Sequence, residues 1–182
     1  MRANDRREKP AVAAVVLTVA GIAALSAAAC GYRLRGTGLS LPPHIRTMAI
    51  PVFKNLTTRF ELEVKLTRAV ISEFVARGKV AVGADPAASD AVLEGEITGF
   101  SANPIGFSGG NQADRYSITV TAKVTLKDRV SGRSLFANPA FVYQQEYDVP
   151  PGTSFESLET EAIDKIAEKF ARSLVVTILE GF

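Results

Sequence analysis

The strongest pattern in the chain is an alternation between residues 116 and 127. Tyr116, Ile118, Val120, Ala122, Val124 and Leu126 occupy one parity, while Ser117, Thr119, Thr121, Lys123, Thr125 and Lys127 occupy the other. A period of two sustained this long predicts a strand with one buried and one wet face. Asp128 to Gly132 supplies a turn, and Leu135 to Val149 reads as a second long strand interrupted near Asn138 and Pro139. Antiparallel pairing of the two is the economical expectation, with one sheet face left to solvent or to a partner. Three further strands are expected. Ala91 to Phe100 alternates, Lys79 to Val82 is short and leads into the turn-rich stretch Gly83 to Ser89, and Thr47 to Phe53 carries Pro51, which marks an edge or a bulge.

Two segments follow a helical period instead. Leu62, Leu66, Val70 and Phe74 recur every four residues, Thr58 and Glu61 suggest a capping box ahead of them, and Gly78 is a natural stop after Arg77. After the breaker Pro150-Pro151-Gly152, Thr153 and Glu156 suggest a second box. The stripe behind it is Phe155, Leu158, Ala162, Ile166, Phe170, Leu174 and Ile178, widened by Ile163, Ala167 and Val175. Glu156, Glu159, Glu161 and Asp164 gather in the N-terminal half, where the helix dipole favours acids. A helix packed on a sheet is sufficient to explain this stripe.

The N-terminus has a different character. Arg2, Arg6, Arg7 and Lys9 precede an apolar run from Ala11 to Ala29, which ends in three alanines at the single cysteine, Cys30. A basic head, an apolar stretch and a small-residue exit describe a secretory signal peptide. A cysteine at the first mature position makes it a bacterial lipoprotein signal, with Cys30 as the lipidation site. An uncleaved membrane anchor is the competing reading, since nineteen helical residues span roughly 28 Å. The run's alanine richness and the placement of Cys30 at its boundary favour cleavage. The excess of basic residues before the run keeps the N-terminus cytoplasmic in both readings, so the domain is expected to be exported. The organisation expected is a signal peptide over 1–29, a lipidated Gly- and Pro-rich tether over 30–43, and one domain over 44–182.

Composition narrows the function classes. The full chain is formally +2, but without residues 1–29 seventeen charges of each sign remain. That balance gives no support for a nucleic-acid partner, which calls for a basic patch. About 150 residues are enough for a core without disulfides. An enzyme reading has little to build on: His44 is the only histidine, beside two prolines, and is read as a surface residue. There is no phosphate loop and no cysteine–histidine set at metal spacing, so no catalytic residue, metal or cofactor is assigned. Glu94 and Glu96 share a strand face, which is commonplace for exposed acids.

Cys30-Gly31-Tyr32-Arg33-Leu34-Arg35-Gly36 resembles the mature start of the LPS-assembly lipoprotein family (LptE type). Further similarity lies in Pro42 to Phe53, in Asn55-Leu56-Thr57 before the first helix, in the strand from Arg115, and in the closing Ile178 to Phe182. The resemblance implies a non-enzymatic, lipid-anchored protein of the outer membrane facing the periplasm; Gly31 after the cysteine agrees with outer-membrane sorting by the enterobacterial rule. It implies a plug within the large β-barrel of the translocon (LptD type), an aid to that barrel's assembly, and a part in moving lipopolysaccharide to the outer leaflet. With the strands and helices read above, the fold expected is α+β: a two-layer sandwich of four to five mostly antiparallel or mixed strands, with two helices on one face. The family's lipopolysaccharide contact is a basic residue at a hairpin tip. The corresponding tip here, Phe107 to Gln112, has no positive charge.

The segment Ser101 to Ala113 is expected to be a long loop between two strands. It holds two apolar side chains, Ile105 and Phe107, that such a loop buries poorly by itself. These two are the candidate contacts for the barrel lumen or for lipopolysaccharide acyl chains. The competing function is a general periplasmic lipoprotein that binds another envelope partner or an amphiphile.

Overall fold

The structure is a computed structural model that describes residues 41–107, 113–150 and 153–180. The strands are β1 (Thr47–Ala49), β2 (Lys54–Asn55), β3 (Ala81–Gly83), β4 (Ala91–Phe107), β5 (Ala113–Asp128) and β6 (Ser134–Asp148). Helix α1 (Leu62–Arg77) lies between β2 and β3, and α2 (Phe155–Glu180) closes the chain. They form one mixed sheet in the order β3-β1-β4-β5-β6, with β2 also on β4. The three short strands run parallel to their neighbours, and β4-β5-β6 is an antiparallel meander. This is the expected α+β architecture.

The expected strand Thr47 to Phe53 is split. Pro51 cannot donate to a ladder, so β1 stops at Ala49 and pairing with β4 resumes at Lys54↔Glu96. Between them Phe53 is buried over Gly95, where an added Cβ would lie 2.6 Å from the ring. Glycine is required there by close approach.

The alternation on β5 is the backbone of the core. Ile118, Val120, Ala122, Val124 and Leu126 are all fully buried, while Lys123 and Lys127 are exposed. Leu62, Leu66, Val70 and Phe74 of α1 and Ile166, Phe170 and Leu174 of α2 join the same core, which places both helices on one face of the sheet. Phe170 meets Phe141 of β6 edge to face, with ring centroids 5.4 Å apart. Leu41 and Ile45 also belong to this core, so the last residues before β1 pack on the domain. The expected interruption near Asn138 and Pro139 is instead a bulge: β6 runs unbroken, and its register with β5 slips between Ala122 and Val124.

Both capping boxes form differently from the expectation. Helix α1 is led by Glu61 in the left-handed region (φ 59°) with no side-chain cap, and Thr58 lies outside the first turn. The local hydrogen bonds go to Asn55 instead, as described below. At α2 the Ser157 N–H donates to Ser154 Oγ at 3.4 Å, and Thr153 Oγ1 donates to the Pro150 carbonyl. The C-terminal expectation for α1 holds. Gly78 takes φ 59°, and its N–H closes the helix on the Phe74 and Val75 carbonyls.

Candidate functional site

The segment Ser101 to Ala113 is not a long loop. Strand β4 continues to Phe107 and β5 begins at Ala113, so only residues 108–112 separate them. Two register slips, at Pro104/Gly106 and Gly106/Phe107, absorb the residues that break alternation. Proline is tolerated because β4 beyond Ile97 has no second strand beside it among the described residues. The tip residues Ser108 to Gln112 lie outside the described residues.

Ile105 and Phe107 sit at this outer end of β4, exposed by 48% and 61%. Both are large apolar side chains on hydrogen-bonded strand rather than on free loop. Phe107 borders a shallow groove completed by Pro104, Ala113, Tyr116, Phe155 and Glu156. The groove's floor is aromatic: Tyr116 stacks on Phe155 with centroids 4.4 Å apart, and Tyr147 meets Phe155 edge to face at 6.5 Å. Lys165 Nζ lies over the Tyr147 ring, 5.5 Å from its centroid. The arrangement suits apolar and aromatic contact.

A cation, Arg115, pairs in register with Gly106 at this end of the sheet. Arg115, at the start of β5, donates to Asp148 of β6 at 2.7 Å and lies 3.8 Å from Glu146. The hydrogen bond to Asp148 and the charges of both acids raise its already high pKa. It is thus an internally paired cation at the base of the hairpin.

A second polar cluster lies at the opposite end of the sheet, where β4 begins and β5 ends. Asp128, which opens the turn after β5, is 2% exposed. It accepts from the Val130 and Ser131 N–H groups through Oδ1, and from Ser131 Oγ and His44 Nε2 through Oδ2. The Ser131 hydroxyl is the main cause of a carboxyl pKa far below the usual range. The Ser131 amide, His44 and the Val130 amide add to it, against the opposing effect of burial. Asp90 is likewise lowered, by the N–H groups of Arg46 and Thr47 and the Thr47 hydroxyl. His44 is at the surface as expected, and it is also tied to Asp128 across 84 positions of sequence.

Serine, histidine and aspartate meet here without nucleophile geometry. Both Ser131 and His44 bond the same carboxylate oxygen, whereas an activated serine needs the imidazole between itself and the acid. The cluster braces a turn and clasps the chain before β1. The run Asp128-x-x-Ser131-Gly132 is the sequence signal that gave the turn, while the bond to His44 left none. Glu94 and Glu96 do not form a carboxylate pair, because Glu94 bonds Lys127 at 2.7 Å and Glu96 faces Lys54 at 3.5 Å. Among the described residues no group of three potential metal ligands occurs, and no helix is long and apolar enough to cross a membrane. Cys30 lies outside the described residues.

Similar solved structures include the hypothetical protein CT253 from Chlamydia trachomatis, 10% identical over 76% of this chain and 97% of that one, with a TM-score of 0.49. Protein XCC0632 from Xanthomonas campestris is 14% identical over 77% and 90%, with a TM-score of 0.48. The rare lipoprotein B from Shewanella oneidensis is 16% identical over 72% and 96%, with a TM-score of 0.42. No curated protein matches the chain. The family model described as "LptE: Lipopolysaccharide-assembly" matches residues 45–178, from the last residues before β1 to the last turn of α2, and the chain belongs to that family.

Proposed function

We propose that this protein is an outer-membrane lipoprotein, anchored through Cys30 after removal of residues 1–29 and facing the periplasm. It plugs the β-barrel of the lipopolysaccharide translocon (LptD type), assists that barrel's assembly, and takes part in lipopolysaccharide transport to the outer leaflet. The role is one of interaction, without catalysis. The family match over residues 45–178 carries this reading. The exposed Ile105 and Phe107, held on paired strand at one end of the sheet, support it as the contact for the barrel lumen or for acyl chains.

A pull-down of the lipidated protein from outer membranes tests the reading. One large β-barrel should dominate the captured material, and Cys30→Ser should release the protein from the membrane or leave it as an unprocessed precursor. A single acyl chain binds only marginally, whereas a diacylglycerol thioether with an added N-acyl chain anchors stably. An unchanged mass and membrane fraction for Cys30→Ser would overturn the anchor. A different dominant partner would overturn the plug.

A further inference from the structure

Besides the hairpin end, the surface carries a second set of large apolar side chains. Val52, Leu56, Phe60 and Val64 follow one another at a spacing of four through the lead-in to α1, and all are exposed. Phe60 is exposed by 85%, the most of any large apolar residue among the described residues. At the position before a helix cap, an apolar residue normally staples to the fourth helical residue, which here is Lys65. Local packing therefore leaves Phe60 without a role.

The loop that presents these side chains is built rather than slack. Asn55 is its hub: its Nδ2 donates to the Arg59 carbonyl and to Glu63 Oε2, both at 2.7 Å, while its Oδ1 accepts from the Thr57 N–H and hydroxyl. The Leu56 N–H extends the ladder to the Ile97 carbonyl at 2.9 Å. Arg59 pairs with Glu159 of α2 and lies over the Phe100 ring, 5.3 Å from its centroid. Directly after Phe60, Glu61 is the one non-glycine residue with positive φ among the described residues. Strain of this kind collects where a conformation is held for recognition.

The charge around the strip indicates the kind of partner. Lys54 faces Glu96, Arg59 pairs with Glu159, and Lys65 pairs with Asp164, while exposed Arg68 and Glu61 add one charge of each sign. No excess of positive charge remains to attract an anionic lipid surface. Rigid apolar anchors inside a polar, internally neutralised rim match the anatomy of a protein–protein interface. The polar inner wall of a β-barrel is a suitable counterpart to such a rim.

We propose that Leu56 and Phe60 are a second anchor for the protein partner, seated in an apolar recess of the barrel wall. The inference rests on the barrel reading above and adds a contact to it. Phe100 lies beside the loop, and Ile105 is five residues further along β4, roughly 17 Å at strand rise. The two anchors thus lie along the same outer half of β4, which has no second strand beside it among the described residues.

Photo-crosslinking with benzoylphenylalanine at position 60, and at position 130 as an exposed control on the β5–β6 turn, is combined with barrel capture by wild type and by Leu56→Ser/Phe60→Ser. Position 60 should crosslink to the barrel and position 130 should not. The double variant should recover less barrel, by about fivefold or more, with a melting temperature within about 2 °C of wild type. Equal recovery with no crosslink from position 60 would overturn this anchor and leave the barrel reading standing. A crosslink to lipid alone would also overturn it. If wild type captures no barrel, both readings fail. If the variant does not fold, the crosslink from position 60 decides.

Discussion

The two halves of β4 belong to one strand and do different work. From Ala91 to Ile97 it lies between β1–β2 and β5, with Ala91, Leu93 and Ile97 fully buried and Gly95 pressed by Phe53. From Gly99 to Phe107 it pairs, among the described residues, with β5 alone, slips register twice and exposes Ile105 and Phe107. The first half contributes to stability through close packing. The second has little apolar burial to lose, so its sequence is free to serve recognition.

This contrast can be broken most severely in the buried region. Phe170→Ala removes a fully buried ring in edge contact with Phe141 and should cost on the order of 3 to 5 kcal/mol. Urea unfolding measures it, and Glu161→Ala on the exposed face of the same helix should change little. Equal effects would mean that the helix face is misassigned. Gly95→Ala comes next, at about 1 to 3 kcal/mol, because the new methyl must displace a buried ring. The corresponding Gly99→Ala meets only Thr121 at ordinary contact distance and should be much milder.

A smaller effect should have the opposite sign. Glu61→Gly relieves the left-handed residue before α1, and should raise stability by up to about 1 kcal/mol after glycine's own entropic cost. Thermal melts would detect it. A loss of stability would show that the Glu61 side chain contributes more than its backbone strain costs.

The acid limb sharpens the comparison from the opposite end of the sheet. Asp128 and Asp90 have lowered carboxyl pKa values in the fold, so their stabilisation is complete above the unfolded carboxylate value, about 3.9. It is lost as pH falls below that value through the folded ones. The melting temperature should therefore drop below about pH 4, and the deficit of Asp128→Asn relative to wild type should narrow there. A deficit independent of pH would assign the effect to packing instead.

Much of this fold was legible in the sequence because its signals are local and periodic. The parity of Ile118 to Leu126, the stripe from Phe155 to Ile178 and the stop at Gly78 each depend on near neighbours. What was illegible depends on competition or distance. Thr58 and Glu61 match a capping box, but Glu61 takes a left-handed backbone with no side-chain cap and the helix begins only after it. Pro104 and Gly106 hide the continuation of β4, because bulges keep pairing while destroying alternation. The link between His44 and Asp128 joins residues 84 positions apart and has no local trace. Of the candidate contacts, Ile105 and Phe107 stand out in the sequence as apolar residues out of place, while Leu56 lies in the Asn55-Leu56-Thr57 entry to the first helix and Phe60 falls outside both helical stripes.

The central claim is that the outer half of β4 serves the partner and not the core. Ile105→Ser/Phe107→Ser tests it directly when barrel capture and melting temperature are measured on the same preparation. The expected result is weakened capture with a melting temperature nearly equal to wild type. Full capture with a clear loss of stability would contradict the claim, and would move the search for the interface to the sheet face carrying Thr119, Thr121 and Lys123.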